Sequence, residues 1–110
     1  LGFYKWDVIY GVTAKNKFQS NAMSTNEKSH CRICGYKADE PPWGEDGNTP
    51  LFEFCPCCGV EHGYQDATRI AVLNFRKKWL DKGMPWDDEK EKPAQWDPTS
   101  QLSHVPSAFK

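Results

Sequence analysis

Apolar positions along this chain fall into a few short groups separated by long polar stretches, and one group has helical spacing. Val72, Phe75 and Trp79 recur at three- and four-residue intervals, with Ile70, Leu73 and Leu80 widening the stripe; this predicts an amphipathic helix over residues 67–82. Asp66 is its expected N-cap, Gly83 stands where a left-handed C′ residue ends a helix, and Pro85 blocks continuation. Arg76, Lys77, Lys78 and Lys82 crowd toward its C-terminal end, where cations suit the helix dipole. Residues 51–54 are a short strand candidate. Near the start, Tyr4, Trp6, Val8, Tyr10 and Val12 alternate with Lys5, Asp7 and Gly11, a one-faced pattern suited to adding onto an exposed sheet edge.

The remaining segments lack periodicity. Residues 23–30 are polar and read as a flexible lead-in. Residues 37–50 are dense in Pro, Gly and Asp, with turns expected at Pro41 and Pro42 and at Asp46 and Gly47. Residues 84–110 read as an extended tail in which the charge run 87–92 is solvated. Trp86 and Trp96 anchor that tail, because disordered segments are poor in aromatics. Residues 101–105 read equally well as a short strand or a helical turn.

The string FQSNAM at 18–23 looks like the remnant of a viral-protease cleavage site joined to a start at Met23, so residues 1–22 are expected to be a vector-derived expression tag. Without them, 88 residues carry 11 basic and 14 acidic groups, a net charge of −3 against −1 for all 110 residues. That mild acidity removes any bulk electrostatic case for nucleic acid or a membrane surface. The length suits one domain, and no apolar run approaches the roughly 20 residues that span a bilayer.

The strongest chemistry is the pair CRICG at 31–35 and CPCCG at 55–59, each reading Cys-x-x-Cys-Gly, with 20 residues between Cys34 and Cys55. A C-x-x-C turn delivers two sulfurs about 3.5–4 Å apart, the separation demanded by Zn–S bonds near 2.3 Å in a tetrahedron. Gly35 and Gly59 can take positive φ, so that the chain folds back over the sulfurs. Five cysteines grouped this way argue for metal rather than disulfides, and for a reducing, cytoplasmic compartment. Cys31, Cys34, Cys55 and Cys58 are the expected ligands of a Zn2+ ion, with iron as the alternative. Cys57 is left over as a small apolar residue or a reactive thiol. His30 and His62 lie close enough in sequence to replace a sulfur.

The text CRICGY…FCPCCGV resembles the rubredoxins, whose iron is held by similar knuckles. More widely, CPCCG followed by NFRKKWLDKG, with Trp96, Asp97 and Pro98 and then Gln101 and Leu102 in the tail, resembles a bacterial cysteine-rich CPCC family of small uncharacterised proteins. That family places CPCC first in many members, whereas here CRIC comes first. The resemblances imply a zinc-ribbon or rubredoxin-like fold and no established activity. The expected architecture is therefore small α+β: a two-knuckle, four-cysteine domain over 31–83 with short β-hairpins, one amphipathic helix, and an extended C-terminal tail over 84–110.

For function, the residues favour a structural metal site in a non-enzymatic module that contacts a protein partner, existing as a monomer or weak homo-oligomer. Trp43, Tyr64 and Trp86 are the candidate contact aromatics. Rubredoxin-like electron transfer needs the same four thiolates. A zinc-ribbon nucleic-acid module has only residues 76–82 as a basic stretch, beside Asp81 and the acidic residues 87–89. No Ser/His/Asp arrangement, phosphate loop or open-position metal motif suggests an enzyme.

Overall fold

The structure is a computed structural model that describes residues 25–110, so the tag and edge-strand reading of residues 1–22 lies outside the described residues. The chain runs through one helical turn α1 (Thr25–Lys28), the two cysteine knuckles, the main helix α2 (Arg69–Asp81), a 3-10 turn at Glu89–Glu91, the short helix α3 (Pro98–Leu102) and a last 3-10 turn at Ser107–Phe109.

Both knuckles are built by one hydrogen-bond pattern. Cys31 N–H donates to the Tyr36 carbonyl and Gly35 N–H to the Cys31 carbonyl; Cys55 and Gly59 repeat this with Val60 and Cys55, all at 2.9–3.0 Å. Gly35 and Gly59 have φ of +83° and +81°, the left-handed conformation that closes each turn at little steric cost. The expected β-hairpins do not form. Among the described residues pairing is limited to two isolated antiparallel bridges, His30 with Lys37 and Phe54 with Glu61. One bridge flanks each knuckle, and beyond it the arms turn away: residues 41–50 carry three prolines, two glycines and a run of turns, which cannot sustain a ladder.

Helix α2 starts two residues later than the pattern predicts. Thr68, not Asp66, is the N-cap; its extended backbone lets the side-chain oxygen accept from Ala71 N–H at 3.1 Å. At the other end Gly83 N–H donates to the Leu80 carbonyl and Met84 N–H to the Trp79 carbonyl, the paired bonds of a Schellman motif with Gly83 at φ +90°. The buried stripe is also narrower than expected. Val72 and Trp79 are buried and Phe75 packs against the core, whereas Ile70 is 73% exposed and Leu80 40%.

The core is the cysteine cluster itself together with Ile33, Val60, Val72, Trp79 and Trp86. Residues 84–110 do not form an extended tail; they fold back as short helical turns. Asp87 and Asp88 N–H groups donate to the Cys57 and Pro56 carbonyls at 3.0 and 2.8 Å, pinning the chain to the second knuckle. Trp86 is buried edge-on between Tyr36 and Trp96, with ring centroids 5.9 and 5.4 Å away. Asp97 caps α3 through Ser100 N–H and Pro98 opens it, so the stretch that reads as either strand or helical turn begins inside a helix.

Candidate metal centre

The knuckles bring the Sγ atoms of Cys31, Cys34, Cys55 and Cys58 within 4.8 Å of one another, a group able to hold a metal ion. Cross-knuckle separations are 3.7 Å for Cys31 to Cys58 and 3.7 Å for Cys34 to Cys55. A tetrahedron with Zn–S bonds of about 2.3 Å has edges of about 3.8 Å, so both cross-knuckle separations match its edge length. All four residues are buried.

Burial pushes the Cys34 and Cys58 thiols well above their ordinary range. Thiol hydrogen bonds from Cys31, then Cys34 and Cys58, hold Cys55 well below it. A cluster of this kind shares out its protons until a cation compensates several thiolates together.

A divalent ion held by four thiolates leaves two excess negative charges, and the chain supplies cations to face them. Arg76, on α2, donates to the carbonyls of Ile33, Arg32 and Phe109 at 2.7, 2.9 and 2.6 Å; its charge is opposed by burial and favoured by Cys31 and Cys34. Arg32, inside the first knuckle, lies 3.8 Å from the Trp43 ring centroid and 4.3 Å from that of Phe109, and donates to the Asp66 and Gly47 carbonyls. Burial lowers the Arg32 pKa, against the attraction of Asp66 and Cys31. His62 Nδ1 lies 2.7 Å from Asp66 Oδ2. Although burial opposes its charge, hydrogen bonds to Asp66 and Cys55 push His62 up to about 10. Asp66 is held below the usual carboxylate range despite burial, by His62, the Trp43 indole and Gly63 N–H.

The structure thus places His62 beside the sulfurs as a partner of Asp66, and neither His62 nor His30 belongs to the four-ligand group. His30 stacks on His104, ring centroids 5.1 Å apart. Cys57 is fully buried outside that group, and its sulfur accepts from Gln101 Nε2 at 3.2 Å. The same Gln101 amide donates to the Cys34 carbonyl and accepts from the Trp96 indole, tying α3 to both knuckles. Of the contact aromatics expected from sequence, Tyr64 is 74% exposed, Trp43 is half-buried under Arg32, and Trp86 is core.

Sequence reasoning missed Arg32, Arg76, Asp66 and Gln101 as members of this centre. The i,i+4 spacing of His62 and Asp66 was a readable signal. Arg76 looked like one of several helix-end cations, and nothing local marked Gln101.

Over 81 residues the chain is 30% identical to the uncharacterised protein YozI of Bacillus subtilis (strain 168), a match spanning 59% of this chain and 67% of that protein. Over 69 residues it is 33% identical to the uncharacterised protein YoaQ of the same organism, spanning 49% of this chain and 58% of that protein. No family model matches the chain. No solved structure matches it.

Proposed function

The chain belongs to the family of the Bacillus subtilis protein YozI, and from that premise we propose that it is a zinc-binding protein whose four-cysteine site is structural and whose surface serves a protein partner. The observation that carries the reading is the buried four-sulfur group at tetrahedral spacing. Four thiolates fill a zinc ion's coordination shell and leave no position for substrate or water, which supports a non-enzymatic role. Zinc is favoured over ferrous iron by its higher affinity for such sites.

A nucleic-acid role is the weaker reading because two of the four cations in the basic stretch are engaged within the chain. Arg76 is spent on three carbonyls, and Lys77 pairs with Asp81 at 2.9 Å. Five free, buried thiols suit a reducing compartment, which supports a cytoplasmic setting. Among the described residues there is no helix long and apolar enough to cross a membrane.

Metal analysis of protein made without added zinc tests the reading. One zinc per chain is expected. Structural zinc contributes about 10–16 kcal/mol, so a chelator is expected to abolish both the helical signal and cooperative melting. A metal-free chain that still melts cooperatively would refute a structural role, and a red form with stoichiometric iron would move the assignment to rubredoxin-like electron transfer.

A further inference from the structure

Much of the exposed apolar surface is concentrated on the arm that enters and leaves the second knuckle. Phe52 is 60% exposed, Phe54 62% and Tyr64 74%, and Leu51 adds 37%. Phe52 has a φ of +57°, the left-handed region that costs an L-residue roughly 1–2 kcal/mol. Its ring lies over Gly63, where an added Cβ would come within 2.7–2.9 Å of it. The chain therefore holds a strained backbone and a backbone-packed ring in order to present an aromatic face outward, with little burial in return.

Beside that face lies a groove of about 310 Å³ between the two knuckles, floored by Cys31 and Cys55. Phe54, Tyr36 and Pro42 form apolar walls, and Asp39, Glu40 and Glu53 supply carboxylates, while no Lys or Arg lines it. All three acids are exposed, and their carboxylates make no ion pair with the other described residues. His62, at the floor, is already engaged by Asp66, its Nδ1 2.7 Å from Asp66 Oδ2.

We propose that this groove and the Phe52–Phe54 face dock a cationic, apolar peptide segment of a partner protein: Leu or Phe anchors fill the space beside Phe54, and flanking Lys or Arg side chains meet Asp39, Glu40 and Glu53. Charge complementarity fixes the choice of occupant. An acidic or neutral segment would leave three carboxylates desolvated without partners, which costs affinity, whereas a cationic one neutralises them. Aromatic anchors at the centre with charges at the rim is the arrangement that concentrates binding energy. The assignment rests on the zinc-held reading above, since the groove lies between the two knuckles and its floor is two of their cysteines.

The test uses the full chain, zinc-loaded and 15N-labelled, titrated with two short synthetic peptides of the same Leu and Phe content, one carrying only Lys charges and the other only Glu. The Lys peptide is expected to shift the amides of Asp39, Glu40, Glu53 and Phe54 and to saturate, and the Glu peptide is not. Phe54→Ala should weaken the Lys peptide about tenfold, and Glu40→Lys with Glu53→Lys should invert the preference between the two peptides. Equal binding of both peptides, shifts mapping elsewhere, or concentration-dependent shifts of these amides without peptide (a second copy as occupant) would overturn the proposal. Zinc content measured on the same samples separates the two readings. Stoichiometric zinc without peptide binding sinks the docking surface alone, whereas selective Lys-peptide binding by a folded, zinc-free chain sinks the structural-zinc reading and leaves the surface standing.

Discussion

Replacing Gly35 with alanine isolates what the C-terminal segment contributes to the metal centre. The new Cβ would overlap the Gln101 carbonyl oxygen, with the carbonyl carbon at 3.0 Å and Val105 N at 3.3 Å behind it. These are backbone atoms of α3 and the turn that follows, so no side-chain rotation relieves the clash. At Gly83, also left-handed at φ +90°, an added Cβ meets nothing within 4 Å. At Gly59, φ +81°, it meets the movable Asp87 side chain at 3.2 Å. All three substitutions share a conformational cost of about 1–2 kcal/mol. Gly83→Ala should show little more than that, and Gly59→Ala slightly more. Gly35→Ala must in addition push α3 off the first knuckle, breaking the Gln101 bonds to the Cys34 carbonyl and Cys57 sulfur and loosening Trp96. With each net hydrogen bond worth about 1 kcal/mol and one aromatic contact similar, the total is about 3–5 kcal/mol. Denaturant melts at fixed excess zinc would rank the three variants. Gly35→Ala falling level with Gly83→Ala would show that α3 does not rest on the knuckle and refute the reasoning.

Cys57→Ala should keep one metal per chain and cost about 1 kcal/mol for the lost Gln101 contact, whereas Cys34→Ala should abolish stoichiometric binding; metal analysis separates them. Arg76→Lys should cost about 2–3 kcal/mol in a zinc-saturated melt, because an ammonium cannot fork to the Ile33, Arg32 and Phe109 carbonyls. Asp66→Asn should lower stability by about 2–4 kcal/mol at about pH 6. His62 is raised from 6.5 to about 10 in the fold, so below pH 6.5, while Asp66 stays ionised, the pair's contribution is complete, and it is lost as pH rises through 10. The gap between wild type and Asp66→Asn measured across that window should therefore close on the alkaline side, and a constant gap would show that His62 carries no charge in the fold.

The four cysteines were legible because their signal is local: C-x-x-C-G fixes a turn whose hydrogen bonds all lie within six residues. Helix α2 was legible for the same reason, through the period of Val72, Phe75 and Trp79 and the Gly83 stop. Its start reads two residues early because Asp66 is a good cap by type, but Asp66 is claimed by partners distant along the chain, the Trp43 indole and the Arg32 guanidinium on its carbonyl. The missing strands have a comparable cause. Residues 51–54 have strand composition, but a left-handed Phe52 breaks the alternation that pairing requires, and no local rule anticipates that conformation in a phenylalanine.

The tail resists a local reading for a deeper reason. Trp86 and Trp96 are too apolar for solvent, as their sequence implies, yet their aromatic partners are Tyr36, Trp79 and each other, up to 50 residues apart in sequence (Tyr36 and Trp86). The returning chain rests on the closed knuckles, at Gly35 and at the carbonyls of Pro56 and Cys57. Arg76 joins α2 to the first knuckle and to the Phe109 carbonyl at the chain's end, while Gln101 joins α3 to Cys34 and Cys57. Helix, knuckles and tail therefore share their supports in Arg76 and Gln101, two side chains outside the four-cysteine group that hold the knuckles from behind.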